Sequence, residues 1–214
     1  MSLLVCYSLV GYADSSLSVL DLQHEWAKVN YQLKGKEQKE AFGTLLISAE
    51  NAVQANPDSA ELIIWRGIIE SSYAGIKGGL GALSLVKKAK SDFEKALTIN
   101  DQALAGSAYT SLGTLYYKVP GWPIGFGDDD KAEALLKKSL AINPNGIDSN
   151  YFFGDYLMTK HKWSDAEQYL LKAQQASPRP DRPVADSGRQ NEIKQALEKV
   201  RTQINIAAHD NFIN

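Results

Sequence analysis

Apolar residues recur every three or four positions along most of this chain, in blocks long enough for helices. No stretch stands out with the alternation that marks a half-buried strand, so the pattern predicts an all-α fold. The blocks end on markers at Pro57, Asp101, Pro144 and Pro178. A proline disfavours helix in the residue before it, which makes these natural stops. Residues 20–56 read as a helical pair that precedes the more regular part of the chain. Near the C-terminus, "NEIKQALEKVRTQI" places Ile193, Leu197, Val200 and Ile204 on one stripe. A proline-rich, arginine-bearing stretch, "SPRPDRPVADSGRQ", connects to it.

The blocks repeat. In "DSNYFFGDYLMTKHKWSDAEQYLLKAQQASPRP", Gly154, Leu157, Ala166, Leu170, Ala173 and Pro178 fall at the spacing of the tetratricopeptide pattern. The small Gly154 and Ala166 let two helices cross closely, and Leu170 and Ala173 line the inner stripe of the second. Gly113, Tyr116, Ala132, Leu136, Ser139 and Pro144 form a second copy; Gly67, Ala89, Phe93, Ala96 and Asp101 form a third. "LLISAENAVQANP" is a fainter one. The end markers step by 44, 43 and 34 residues, the last being the standard length. The prediction is a tetratricopeptide-like helical-hairpin superhelix with a C-terminal capping helix, the polar-faced end that a short solenoid needs. Its parts are an N-terminal tail (1–19), a helical pair (20–58), repeats (59–178), and the connector with the capping helix (179–214).

The longer steps carry insertions at about 73–88 and 118–130. From crossing glycine to following alanine is 12 residues in the regular copy, 19 in the second and 22 in the third. Both insertions therefore sit between the two helices of a unit, on one edge of the stack, where insertions often build a binding face. The first, around "GIKGGLG", predicts a glycine-rich entry into a lengthened helix through Leu80, Leu83 and Val86. The second, "KVPGWPIGFGDDD", predicts a structured loop. Pro120 and Pro123 stiffen it, and Gly121, Gly125 and Gly127 permit tight or left-handed turns. Asp128 to Asp130 open the next helix, where a carboxylate caps free N–H groups.

Composition narrows the function classes. The 214 residues suffice for one domain with a sizeable core, and 44% hydrophobic with 22% charged residues is ordinary for a globular protein. A net charge of -2, with no Lys/Arg run, argues against nucleic acid as partner. No run approaches the ~20 apolar residues that span a bilayer. The N-terminus, "SLLVCYSLVGYADSS", reads as the tail of a secretory signal without its basic region, with Gly11 and Ala13 placed for cleavage after Ala13. That predicts a periplasmic protein. Val5 is too large for the small residue expected before a lipidated cysteine, so anchoring through Cys6 is disfavoured. The alternative is an ordinary N-terminal helix packed on the core.

No catalytic constellation emerges. "GIKGGLG" and "GWPIGFG" lack the order of a phosphate-binding loop and follow no strand. The contiguous "DDD" starts a helix, unlike a calcium loop with alternating oxygens. His24, His161 and His209 are scattered, and no Cys/His cluster or nucleophile elbow is present. A non-enzymatic protein without cofactor or metal is expected.

The aromatic residues carry the stronger signal. On the tetratricopeptide template the first helix of each unit faces the concave groove. Counting from Gly113 and Gly154 puts Thr114, Tyr117, Lys118, Asp148, Tyr151 and Asp155 on that face, and Tyr109, Leu112, Tyr116 and Phe153 on the packing side. Trp122 and Phe126 either plug their own loop, the favoured reading, or touch a ligand; both would shape the groove's rim. The candidate binding set is Tyr117, Lys118, Trp122, Phe126, Asp148, Tyr151 and Asp155. Arg179, Arg182 and Arg189 have the donors to clamp a carboxylate, although a solvated connector is the expectation.

"GIKGGLGALSLVKKAKSDFEKAL" and "LGTLYYKVPGWPIGFGDDDKAEALLKKSLAINPNG" give the chain a resemblance, over roughly residues 40–178, to secreted bacterial tetratricopeptide proteins. More specifically, it resembles the T-component family of tripartite ATP-independent periplasmic (TRAP) transporters. The resemblance implies a helical periplasmic protein that associates with a solute-binding protein and holds or passes a small, often hydrophobic or carboxylated, ligand among its helices. It supplies no catalytic residues. The reading is a periplasmic adaptor that binds a partner protein, the solute receptor of a TRAP-type transporter being the candidate. The alternative is a small-molecule carrier with a pocket lined by Tyr117, Trp122, Phe126 and Tyr151. Self-association is left open.

Overall fold

The structure, a computed structural model, describes residues 17–213; the signal-peptide and Cys6 readings lie outside the described residues. The described residues form helices α1 (Val19–Gln32), α2 (Gly35–Ala55), α3 (Ala60–Lys77), α4 (Gly79–Ile99), α5 (Ser107–Lys118), α6 (Asp129–Ile142), α7 (Ile147–Thr159), α8 (Trp163–Gln174) and α9 (Pro183–Ile213). No strand occurs among them. The all-α helical-hairpin superhelix holds. α3 and α4, α5 and α6, and α7 and α8 are antiparallel hairpins, each packed on the next, with α1 and α2 before them.

Three equivalent crossings build the stack. A Cβ added at Gly67 would lie 2.7 Å from the Phe93 ring. At Gly113 it would lie 2.9 Å from Leu136 Cγ, and at Gly154 2.9 Å from Leu170 Cγ. Ala89, Ala132 and Ala166, one turn before those side chains, have no exposed surface. Each glycine thus removes the side chain that would hold two helices apart, and the large residue opposite fills the groove. The helix ends repeat too. Asn56, Asn100 and Asn143 close α2, α4 and α6, their backbone N–H groups donating to the carbonyls of Ala52, Ala96 and Ser139.

The insertions act as expected in position but differ in detail. The first lengthens both members of its hairpin, α3 and α4, joined by Gly78 and Gly79 with φ of 65° and 62°. In the second, Gly121, Gly125 and Gly127 do not adopt left-handed backbone. They serve close approach instead: a Cβ at Gly127 would lie 2.0 Å from the Val119 carbonyl oxygen, and one at Gly125 2.4 Å from that of Pro120. Gly127 N–H donates to Pro120 O at 3.0 Å and Asp128 N–H to Tyr116 O at 2.9 Å, pinning the loop to α5. Asp128 caps α6 by accepting from Lys131 N–H.

The C-terminal helix does more than cap. It begins at Pro183, inside the stretch read as connector, because proline suits the first helical position. It packs on α7 and α8 and also on α1, at the other end of the chain. Gly188 meets the Tyr31 ring, which an added Cβ would approach to 2.4 Å. Tyr31 donates to Glu192 at 3.3 Å, and His24 Nε2 donates to the Asp181 carbonyl at 2.6 Å. The superhelix is closed into a ring.

Candidate functional site

Closure turns the concave face into a deep cleft that is about half open to solvent. A cavity of about 660 Å³ lies there, walled by α1 (Trp26), α3 (Trp65 to Gly75), α4 (Gly79 to Val86), α5 (Ser107 to Lys118), α7 (Asp148, Phe152) and α9 (Ala185, Arg189). The rim loop contributes Val119, Pro120 and Ile124. Most of the surface is apolar, from Ile68, Ala82, Leu83, Val86, Leu115 and Phe152 among others. A second cavity of about 690 Å³ is lined mainly by polar residues, including Gln23, Asn143, Asn145 and Ser149. Leu104 and Ala105, held at positive φ in the turn before α5, also line it. The two share Trp65, Ser107, Thr110, Asp148, Arg179 and Arg182, so they meet at that wall.

The charged groups collect where α7 meets the start of α9. Asp148 accepts from Arg179 at 2.7 Å and from Arg189 at 2.9 Å. Burial pushes the Asp148 carboxyl up, but the charges of Arg189 and Arg179 outweigh it and hold the pKa at about 2. Arg179 also binds Asp186, and Arg189 binds Glu192 at 2.5 Å. The Arg189 guanidinium lies between two rings, 4.4 Å from the Tyr151 centroid and 4.6 Å from that of Phe152. Arg182 differs. Among the described residues it takes part in no ion pair, and its Nε is buried without a partner. Its guanidinium carbon sits 5.1 Å from the Trp65 ring centroid. Burial, then the neighbouring Arg179 charge, lowers its pKa from the usual value. An arginine nevertheless stays charged at neutral pH.

The residues singled out by sequence divide into three groups. Lys118 and Asp148 line the cavity. Tyr117, Tyr151 and Asp155 stand behind its wall as a support network. Tyr117 donates to Asp155 at 2.6 Å, Lys118 pairs with the same carboxylate at 2.6 Å, and Tyr151 braces Arg189. Burial, then the Asp155 charge, raises the Tyr117 pKa well above its usual value. Burial also pushes Tyr151 up to about 12, so both phenols stay neutral. The third group is the loop. Phe126 packs edge-on against Tyr116 at 5.7 Å, whereas Trp122 is 90% exposed and plugs nothing.

Sequence reasoning passed over Trp26, Trp65 and Ile68, and set Arg182 aside as solvated. A signal existed for Trp65. It lies two residues before the crossing glycine of its unit, as Ser111 and Phe152 do in theirs, and all three line the cavity. Among the described residues, no group of three or more His, Cys, Asp or Glu side chains is placed to hold a metal ion. No described helix is long and apolar enough to cross a membrane. The fold and site define a closed ring of helical hairpins around an apolar cavity with a charged wall. No family model matches the chain, and no curated protein matches it.

Proposed function

We propose that this protein is a non-enzymatic carrier that holds a small apolar or carboxylated molecule inside its helical ring. The observation that carries this reading is the cavity on the concave face, because its volume and apolar walls suit a small organic ligand. The repeated glycine–alanine crossings support a tetratricopeptide origin. The two insertions carry the proposed kinship to the T-component of TRAP-type transporters, and the N-terminal sequence carries the proposed place in the periplasm, where a carrier would hand solute to a receptor. Native mass spectrometry of gently purified protein tests it. The expected spectrum holds an extra small mass that is lost on denaturation and is absent from Ala82→Phe, whose ring would fill the cavity. Ligand-free protein from every preparation, together with no saturable binding of an apolar probe, would overturn the carrier.

A second reading, the adaptor, is favoured by the rim loop. Trp122 and Ile124 are 90% and 68% exposed, and large apolar side chains held out on a pinned loop suit a protein contact. Ile124 also lines the cavity, so a partner docked there would sit at its mouth. The expected result is co-elution with a periplasmic solute receptor that the double variant Trp122→Ser, Ile124→Ser abolishes. Unchanged co-elution would remove the loop from the interface.

A further inference from the structure

The second, polar cavity is walled in part by a glutamine with nothing to bond. Gln23 on α1 keeps only 9% of its surface exposed and lines this cavity. Its neighbours on α1 are satisfied: His24 Nε2 donates to the Asp181 carbonyl at 2.6 Å, and Trp26 donates to Ser72 at 2.9 Å. Gln38, buried to a similar degree, donates to the carbonyls of Val29 and Asn30 at 3.0 and 3.1 Å. The Gln23 amide makes no hydrogen bond among the described residues, yet neither of its polar atoms is sealed off, so the amide is open to the cavity. A carboxamide both donates and accepts, and leaving both halves unmade at a nearly buried position is costly. The same cavity carries strained backbone. Leu104 (φ 49°, ψ 43°) and Ala105 (φ 53°, ψ 45°) follow one another in the left-handed region. Residues with a Cβ avoid that region, and those held there cluster at ligand-binding sites. The corresponding turn before α7, at 143–146, holds no positive φ.

We propose that this polar cavity is a second binding site, for a neutral polyhydroxylated molecule such as a sugar or polyol, with Gln23 as the buried side chain that reads it. The class follows from the amide. A hydroxyl both donates and accepts, so neighbouring hydroxyls satisfy both halves of the carboxamide. A bare anion only accepts and would leave the Gln23 oxygen unpaired against negative charge. Three further carboxamides, Asn143, Asn145 and Gln175, line the cavity, and their side chains make no hydrogen bond among the described residues. Asp148 and Arg179, on the same wall, are bonded to each other at 2.7 Å, so their charges are matched within the protein. An apolar molecule would leave the carboxamides unmade and is served by the first cavity. The polar site does not depend on the carrier reading.

Saturation-transfer NMR of the full chain with a mixture of glucose, galactose, mannose, ribose, glycerol and inositol tests the assignment. Transfer to at least one of these compounds is expected. Calorimetric titration with that compound should show a Kd raised at least about tenfold in Gln23→Leu, the range of one buried polar group left unmatched. Gln175→Trp, at an exposed position on the same cavity, should weaken it likewise and serves if Gln23→Leu does not fold. Octanol, a probe of the first cavity, should bind both variants within about twofold of the native protein, because neither residue lines that cavity. Transfer to none of the compounds overturns the site. Binding that survives both substitutions lies elsewhere on the molecule and overturns it too. Tighter binding of inorganic phosphate or of glycylglycine than of any of the hydroxylated compounds overturns the ligand class. Sugar binding by a native protein that takes up no octanol would overturn the carrier reading and leave this site standing.

Discussion

Glu70 lies within α3 with 2% of its surface exposed, and its Oε2 has no partner among the described residues. Burial first, then the Asp92 charge, raises its pKa to about 8, against the pull of Arg66 and Lys88. Glu50 on α2 adds to the rise. The folded protein therefore keeps a proton that the unfolded chain releases from about pH 4.5 upward. That contribution to stability is fully present below about pH 4.5 and is lost as the pH climbs through 8. The slope reaches about 1.4 kcal/mol per pH unit at most. Glu70→Gln cannot ionise, so its stability relative to the native protein should grow steadily from pH 5 to 8. Urea midpoints of the two proteins across that range check it; a constant difference would mean that Glu70 is charged in the fold. Asp148 works in the opposite direction, its pKa being held at about 2, so its contribution is lost only as the pH falls below the ordinary carboxylate range. Asp148→Asn would leave Arg189, 8% exposed, short of its main counter-charge. The Asp148 side chain is 35% exposed, so water screens the pair, and a loss of about 1–2 kcal/mol is expected in thermal unfolding at pH 7. Neither behaviour is legible in the sequence, where Glu70 is one acidic residue on a helix and Asp148 a groove-facing aspartate whose arginine partners lie 31 and 41 positions away.

The hairpin crossings show what the sequence does convey. A glycine followed by alanine and then by a large apolar residue one turn on is a local pattern, and its consequence, close crossing, is local as well. Gly113→Ala adds a methyl 2.9 Å from Leu136 and 3.2 Å from the Ala132 carbonyl oxygen. Overpacking of that kind costs about 1–3 kcal/mol, against about 1 kcal/mol gained in helix propensity. A net loss of up to about 2 kcal/mol is expected. Gly75→Ala is the internal control. Its Cβ would meet nothing within 4 Å, so propensity acts alone and the protein should gain up to about 1 kcal/mol. Denaturant midpoints that move in opposite directions would confirm that the crossing, not glycine as such, sets the requirement. The rim loop was legible as an element and not in its detail. Its glycines answer to the carbonyls of Val119 and Pro120, a proximity that turn statistics do not encode. The start of α9 was missed for a similar reason. Pro183 can end a segment or begin one, and only contact with α1 and α8 decides between them.

At the scale of the whole molecule, the cavity exists because α9 returns to α1, joining residues more than 150 positions apart. Repeat periodicity describes neighbours in the stack and carries nothing about the two ends meeting. A terminal amphipathic helix therefore reads as a cap, and the arginines before it read as solvated. Arg182 and Trp65 become a pair only once the ring is closed. The seam is narrow at Gly188, where the Tyr31 ring leaves no room for a side chain. Gly188→Val should force α9 away from α1 while sparing the three hairpins, whose crossings lie elsewhere. The expected loss is about 1–3 kcal/mol. Hydrogen exchange should rise in α1 and α9 before it rises in α5 to α8. If the ring is what encloses the ligand, the same substitution should weaken binding of octanol, an apolar probe, because it opens the apolar wall. Loss of octanol binding in Gly188→Val with α5 to α8 still protected would tie the cavity to ring closure. Retained binding in a variant whose α1–α9 seam exchanges freely would show that the hairpins hold the ligand without it.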